Sequence, residues 1–189
     1  MTTYLVTGGT GFLGRRLIQR LLMRGDSTEV LVLVRERSRA RLAGMVESMP
    51  NATKVRPVVG DLTAPGLGIA KDELGRVDHI VHLAAVYDMT ASEEANRAAN
   101  VDGTARVVEL ANELRVGCLH HVSSVAVAGD YRGTFTEENF DVGQRLNSPY
   151  HATKFEAEAL VRDKARVPWR VYRPAIVVGD SQTGEMDKV

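Results

Sequence analysis

The sequence predicts an α/β protein built on a doubly wound parallel sheet, and three observations carry that expectation. Apolar, β-branched runs recur along the 189 residues, amphipathic segments separate several of them, and a glycine-rich turn joins the first run to the first such segment. Continuous apolar runs suit strands buried on both faces, and their alternation with helices is the pattern of parallel crossovers.

The expected strands are Tyr4–Thr7 (YLVT), Val30–Val34 (VLVLV), Val55–Val59 (VRPVV), His79–Ala85 (HIVHLAA), Cys118–Ser124 (CLHHVSS) and Trp169–Pro174 (WRVYRP). Helices are expected at Phe12–Arg24, Asn96–Arg115 and Tyr150–Lys164, where apolar residues recur at three- and four-residue spacing. Between Gly129 and Ser148 the chain is rich in Gly, Asp, Glu and Asn and reads as a long loop, of the length often found beside a binding site. After the last strand, AIVVGDSQTGEMDKV carries no closing helix pattern. The expectation is one NAD(P)-binding domain over residues 1–189, an N-terminal piece that stops before a C-terminal substrate region.

Composition narrows the function. With 44% hydrophobic and 25% charged residues the chain reads as an ordinary globular domain. Its 24 basic and 24 acidic residues cancel, so no global field draws it to nucleic acid or an anionic membrane. No stretch approaches the ~20 apolar residues of a transmembrane helix, and MTTYLVTGG lacks the basic start and apolar run of a signal peptide. A cytoplasmic location is expected. The single cysteine, Cys118, excludes an internal disulfide and reads as a buried thiol in a reducing compartment.

The segment TGGTGFLG, Thr7–Gly14, follows the first strand and opens a helix. There Gly8 allows a tight turn, Gly11 lets backbone N–H groups approach a pyrophosphate, and Gly14 permits close packing, with Thr10, Phe12 and Leu13 completing the loop. In that context it reads as the dinucleotide-binding turn expected of a Rossmann fold. At the end of the second strand an acidic residue favours NAD, whereas an arginine accommodates the 2′-phosphate of NADP. Arg35 follows the strand directly, with Arg37 and Ser38 as supporting donors, so NADPH is the expected cofactor. Glu36 would favour NAD if the strand ended one residue later. Asp61 and Leu62, after the third strand, are placed to meet the adenine. Leu83, Ala84 and Ala85, after the fourth, are small or apolar where backbone must pass close to the cofactor.

Tyr150 and Lys154 lie four apart at the start of a helix and share a face. A phenol with a pKa of about 10 is a reluctant acid–base group, and a nearby ammonium stabilises its phenolate. Ser124, at the end of the fifth strand, can hydrogen-bond a carbonyl oxygen as hydride arrives, while Tyr150 supplies the proton and Lys154 anchors the nicotinamide ribose. Ser123 would by alternation face the other way.

Together these segments resemble the extended short-chain dehydrogenase/reductase family: TGGTGFLG, DL at Asp61, HLAA at His82, NVDGT at Asn100, SS at Ser123, YHATK at Tyr150 and RPAIVVGD at Arg173, in order. That resemblance implies Ser124, Tyr150 and Lys154 as the catalytic set, with Asn100 positioning the lysine. Ser124 lies five residues before Gly129, as in the family's serine-to-glycine pattern. Within the family, HLAAVYDM, HHVSSVAVAG, GTFTEENF and GDSQTGEMDKV are similar to the reductase domain of bacterial fatty acyl-CoA reductases. The implied chemistry is NADPH-dependent reduction of an acyl-CoA or acyl-carrier-protein thioester to an aldehyde, with further reduction to the alcohol in some relatives.

Two other readings stay open: an extended family member acting on nucleotide sugars or hydroxysteroids, and an NADP-binding sensor without catalysis. Arg35 speaks against the first, and the intact Ser124, Tyr150 and Lys154 against the second. The histidines, His82, His120, His121 and His151 among them, are not spaced as a metal set. Arg15 and Arg16 read as a solvated helix start, Trp169 as a residue packed on the sheet, and Tyr87 as lining a cleft or covering the cofactor. Nothing in the sequence sets the oligomeric state.

Overall fold

In the computed structural model, which describes residues 1–24, 28–84, 94, 97–181, 184 and 186, six strands form one parallel sheet. They are β1 (Thr2–Thr7), β2 (Thr28–Val34), β3 (Val55–Val59), β4 (His79–His82), β5 (Cys118–Val122) and β6 (Trp169–Tyr172). Their spatial order is β3-β2-β1-β4-β5-β6. The chain leaves β1 to one side and, after β3, returns to β1's other side, so the order reverses beside β1 and opens a crevice there. Pro57, which cannot donate to a ladder, is tolerated because β3 is an edge strand.

Each central strand is apolar on both faces, as continuous runs require. Leu5, Leu31, Leu33, Ile80 and Leu119 enter one core, with Val107, Val108 and Leu110 packed over them. Tyr4, Val6, Val30, Val32 and Val81 enter the other, beneath Ile18, Leu22, Leu42 and Val46. Fully buried positions such as Leu31 and Ile80 cost about 2–5 kcal/mol when truncated to alanine.

The main helices are α1 (Phe12–Leu22), α2 (Arg39–Glu47), α3 (Gly103–Leu114) and α4 (Pro149–Lys164). α2 escaped the periodicity reading because only Leu42 and Val46 bury on it. The predicted helix from Asn96 passes, after helical Arg97, through a π turn at Ala98–Asp102 before α3. α4 starts as its sequence dictates: Ser148 Oγ accepts from the His151 N–H at 3.2 Å, and Pro149 occupies the first turn. The predicted strand ends are too long, since β4 stops at His82 and β5 at Val122. Leu83, Ala84, Ser123 and Ser124 therefore lie just beyond the sheet, and Ala85 lies outside the described residues.

Residues 129–148 form no helix or strand before the start of α4, as expected, but are tightly bonded internally. Asp130 N–H donates to the Arg145 carbonyl at 3.1 Å and the Arg145 N–H donates back to Asp130 Oδ1 at 2.7 Å. Gln144 donates to the carbonyls of Val127 and Phe140 at 2.8 and 2.7 Å.

Candidate functional site

All six strands point their C-terminal ends at one cavity of about 1060 Å³. The glycine turn lines it after β1, Arg35 after β2, Asp61 after β3, Leu83 after β4, Ser124 after β5 and Pro174–Val178 after β6. This is the position in which open α/β sheets hold ligands.

The turn from Gly8 to Gly14 is close-packed backbone. Gly8 has φ +72°, and Gly11 N–H closes the turn onto the Gly8 carbonyl at 3.0 Å. A Cβ on Gly14 would lie 2.3 Å from that same carbonyl oxygen, so only glycine lets α1 start this close to the loop. The start of α1 carries no side-chain cap and no acidic residue in its first turn. Its first-turn N–H groups and positive dipole end thus face a cavity shaped for an anion, and the cradle fits the diphosphate of a dinucleotide.

Arg35 is exposed and lines the cavity together with Ser38, whereas Glu36 does not line it and pairs with Arg39 at 3.5 Å. β2 ends at Val34, so Arg35 is the first residue beyond the strand. Arg37 is exposed and does not line the wall, but its charge reaches Asp61. The Asp61 carboxyl is held below its usual range by the Thr63 N–H, then by the Thr63 hydroxyl, Arg35 and Arg37. Asp61 Oδ1 accepts from Thr63 N at 2.9 Å and Thr63 Oγ1 at 2.8 Å, a local turn that orients the carboxylate. Leu62 lines the wall beside it.

Ser124, Tyr150 and Lys154 converge on the same cavity. Ser124 Oγ accepts from the Ala126 N–H at 3.1 Å, which leaves its own proton free to donate. Ser123 also borders the cavity, but it is 3% exposed and its hydroxyl is buried. Tyr150 is half-buried at the first turn of α4. Lys154 is 4% exposed, and its Nζ donates to the Val122 carbonyl at 2.8 Å. Burial pushes its ammonium down to about 8, against the pull of Glu158. Asn100 is buried in the π turn and its amide donates to Thr153 Oγ1 on α4 at 3.3 Å, tying the turn to the helix that carries Lys154. π turns of this kind are frequent at functional sites.

His82, to which the sequence assigns no role of its own, underpins the site. The Thr104 hydroxyl donates to the Asn100 carbonyl at 2.6 Å and so can only accept from His82 Nε2, at 2.9 Å. His82 Nδ1 then accepts from the Thr7 hydroxyl at 2.7 Å, and Thr7 Oγ1 accepts from Ala84 N–H at 3.3 Å. One neutral imidazole thereby joins the ends of β1 and β4 to the π turn. Burial, with Lys154 nearby, pushes it down to about 3. No signal in the sequence separates this histidine from its neighbours. Among the described residues no three His, Cys, Asp or Glu side chains converge as a metal would need, and no helix is long and apolar enough to cross a membrane. Cys118 is buried, and burial raises its thiol.

Comparison with known proteins agrees with this geometry. The family described as male sterility protein, an NAD-binding family, matches residues 6–189. A linear gramicidin synthase polypeptide of Brevibacillus parabrevis is 31% identical over 97% of this chain and 4% of its own length. Fatty acyl-CoA reductase wat of Drosophila melanogaster is 28% identical over 92% of this chain and 42% of its own. Among solved structures, the terminal R domain from the myxalamid PKS-NRPS biosynthetic pathway superposes with a TM-score of 0.86 at 33% identity, covering 99% of this chain and 52% of that one. The chain thus spans about half, or far less, of the relatives it matches.

Proposed function

Because the chain belongs to the male sterility protein family of NAD(P)-binding domains, an extended branch of the short-chain dehydrogenase/reductases, we propose that it is the cofactor-binding domain of an NADPH-dependent reductase of long-chain acyl thioesters. The observation that carries this reading is the meeting of Ser124, Tyr150 and Lys154 with the glycine turn around one cavity.

A bound nicotinamide cofactor supplies the hydride. Gly8, Thr10, Gly11, Phe12, Leu13 and Gly14 would hold its diphosphate at the start of α1, Arg35 and Ser38 would meet a 2′-phosphate with Arg37 in reserve, and Asp61 and Leu62 would take the adenine. That β2 ends before Arg35, and that Glu36 turns to Arg39, supports NADPH over NADH. The Ser124 hydroxyl donates to the thioester carbonyl, holding it for attack and stabilising the oxyanion. Tyr150 gives its proton to that oxygen, and Lys154 keeps the phenolate accessible and hydrogen-bonds the ribose. The resulting hemithioacetal expels the thiol, of coenzyme A or of a carrier protein, and leaves the aldehyde. Val125, Ile176 and Val178 are exposed apolar residues on the cavity wall, a surface suited to an acyl chain.

The test is NADPH consumption by the protein with a long-chain acyl-CoA, with NADH, a nucleotide sugar and a hydroxysteroid as controls. Turnover with release of free thiol is the expected result. A folded, NADPH-binding protein that leaves the thioester intact refutes the acyl reading. Turnover of a sugar or steroid would reassign the substrate, and cofactor binding without any turnover would leave a sensor.

A further inference from the structure

One turn beyond Lys154 on the same face of α4 lies Glu158, fully buried and the only buried carboxylate among the described residues. Arg173, just after β6, grips it with Nη2 on Oε1 at 2.6 Å and Nε on Oε2 at 3.1 Å, and Arg162 adds Nε on Oε1 at 2.9 Å. A structural ion pair needs one cation, and here two guanidiniums grip a single carboxylate, with the Lys154 ammonium one helical turn away. The long loop seals the group from water. Phe140 stacks on Phe155 of α4 at 4.4 Å, Arg162 lies 4.6 Å over Phe140, and Arg173 donates to the Thr136 carbonyl at 3.3 Å. A charge held away from solvent acts over a longer range than one on the surface.

We propose that Glu158 is a positioning residue, a fixed buried anion held by Arg162 and Arg173 that keeps Lys154 in its ammonium form beside Tyr150. This rests on the roles given above to Lys154 and Tyr150. Burial pushes the Glu158 carboxyl up, but the hydrogen bonds led by Arg173 outweigh that and keep it ionised. The other titratable groups facing Lys154 are Tyr150 on α4, His82 on β4 and His121 on β5. Both histidines are held neutral by burial, so neither supplies a counter-charge. Glu158 is thus the anion that offsets part of the burial of Lys154.

The test reads Lys154 itself and needs no substrate. The chain has five lysines, and the Nζ resonance of Lys154 in ¹⁵N-lysine-labelled protein is assigned by its loss in Lys154→Arg. Removing a nearby anion disfavours the cation, so Glu158→Gln is expected to lower the titration midpoint by about one pH unit. Glu158→Asp is expected to restore part of that shift. Arg162→Met, at a side chain 26% exposed, frees more of the carboxylate's field and is expected to raise the midpoint by a few tenths of a unit. Tyr150, followed by ultraviolet difference absorbance against Tyr150→Phe, is expected to ionise at higher pH in Glu158→Gln. A folded Glu158→Gln with an unmoved midpoint overturns the proposal. If that variant fails to fold, an unchanged or lower midpoint in Arg162→Met does so. An inert thioester alongside the expected shifts would refute the substrate reading alone.

Discussion

His82 Nε2 donates to Thr104 Oγ1 at 2.9 Å, and through this contact β4 is fastened to the start of α3 beneath the cofactor cavity. The imidazole is neutral in the folded protein, pushed down to about 3, whereas an unfolded histidine takes its proton near 6.5. The unfolded state therefore binds more protons between these values, and the histidine's contribution to stability is complete above about 6.5 and is lost as pH falls toward 3. The expected loss is about 1.4 kcal/mol per pH unit across that window. Urea unfolding of wild type and His82→Phe at pH 7 and pH 5 checks this. The variant should lose about 1–3 kcal/mol at pH 7 and fall less steeply with acid. Parallel pH dependences would refute the neutral-imidazole assignment.

Gly14 and Gly44 are both helical glycines, yet alanine should act on them with opposite sign. At Gly14 the new methyl would stand 2.3 Å from the Gly8 carbonyl oxygen, with backbone that has nowhere to go. A loss of about 3 kcal/mol, or about 10 °C in Tm, is expected, together with weaker cofactor binding. At Gly44, exposed on α2, nothing lies within 4 Å, so alanine should stabilise by about 0.5–1 kcal/mol. Thermal melts of the two variants decide it, and a neutral Gly14→Ala would contradict the close-packed turn.

Arg35→Ala should raise the Kd for NADPH about 10- to 100-fold, the worth of a hydrogen bond to a charged group, and change that for NADH by about two-fold or less. Fluorescence titration with both nucleotides measures the ratio. Equal losses for the two would remove the 2′-phosphate contact from the reading.

Tyr150→Phe should cut kcat by about 10²–10⁴-fold and leave NADPH affinity nearly intact. In wild type, activity should fall as pH rises through about 8, where Lys154 loses its proton. A pH profile flat to 9.5 would show that the ammonium of Lys154 is not needed.

Much of the site could be read from order and spacing. Gly8, Gly11 and Gly14 follow a strand and open a helix, and Tyr150 and Lys154 share one helical face, because both relations are local and set by backbone geometry. α2 could not be read, since Leu42 and Val46 alone carry its buried face. The ends of β4 and β5 were placed too late because the apolar pattern runs past the last ladder bond into HLAA and HVSS, where the chain turns into the cavity.

The parallel α/β sheet, the glycine turn and the helix that carries Tyr150 and Lys154 are legible in the chain alone, since periodicity, glycine placement and i, i+4 spacing act within a few residues. The packing of the folded chain is what makes His82 join β1, β4 and the π turn, turns Glu36 to Arg39 and leaves Arg35 at the cavity, and buries Glu158 between Arg162 and Arg173. These relations join residues that are distant in the chain or depend on where a strand ends. Their energies come from burial, which exists only once the sheet has closed over them.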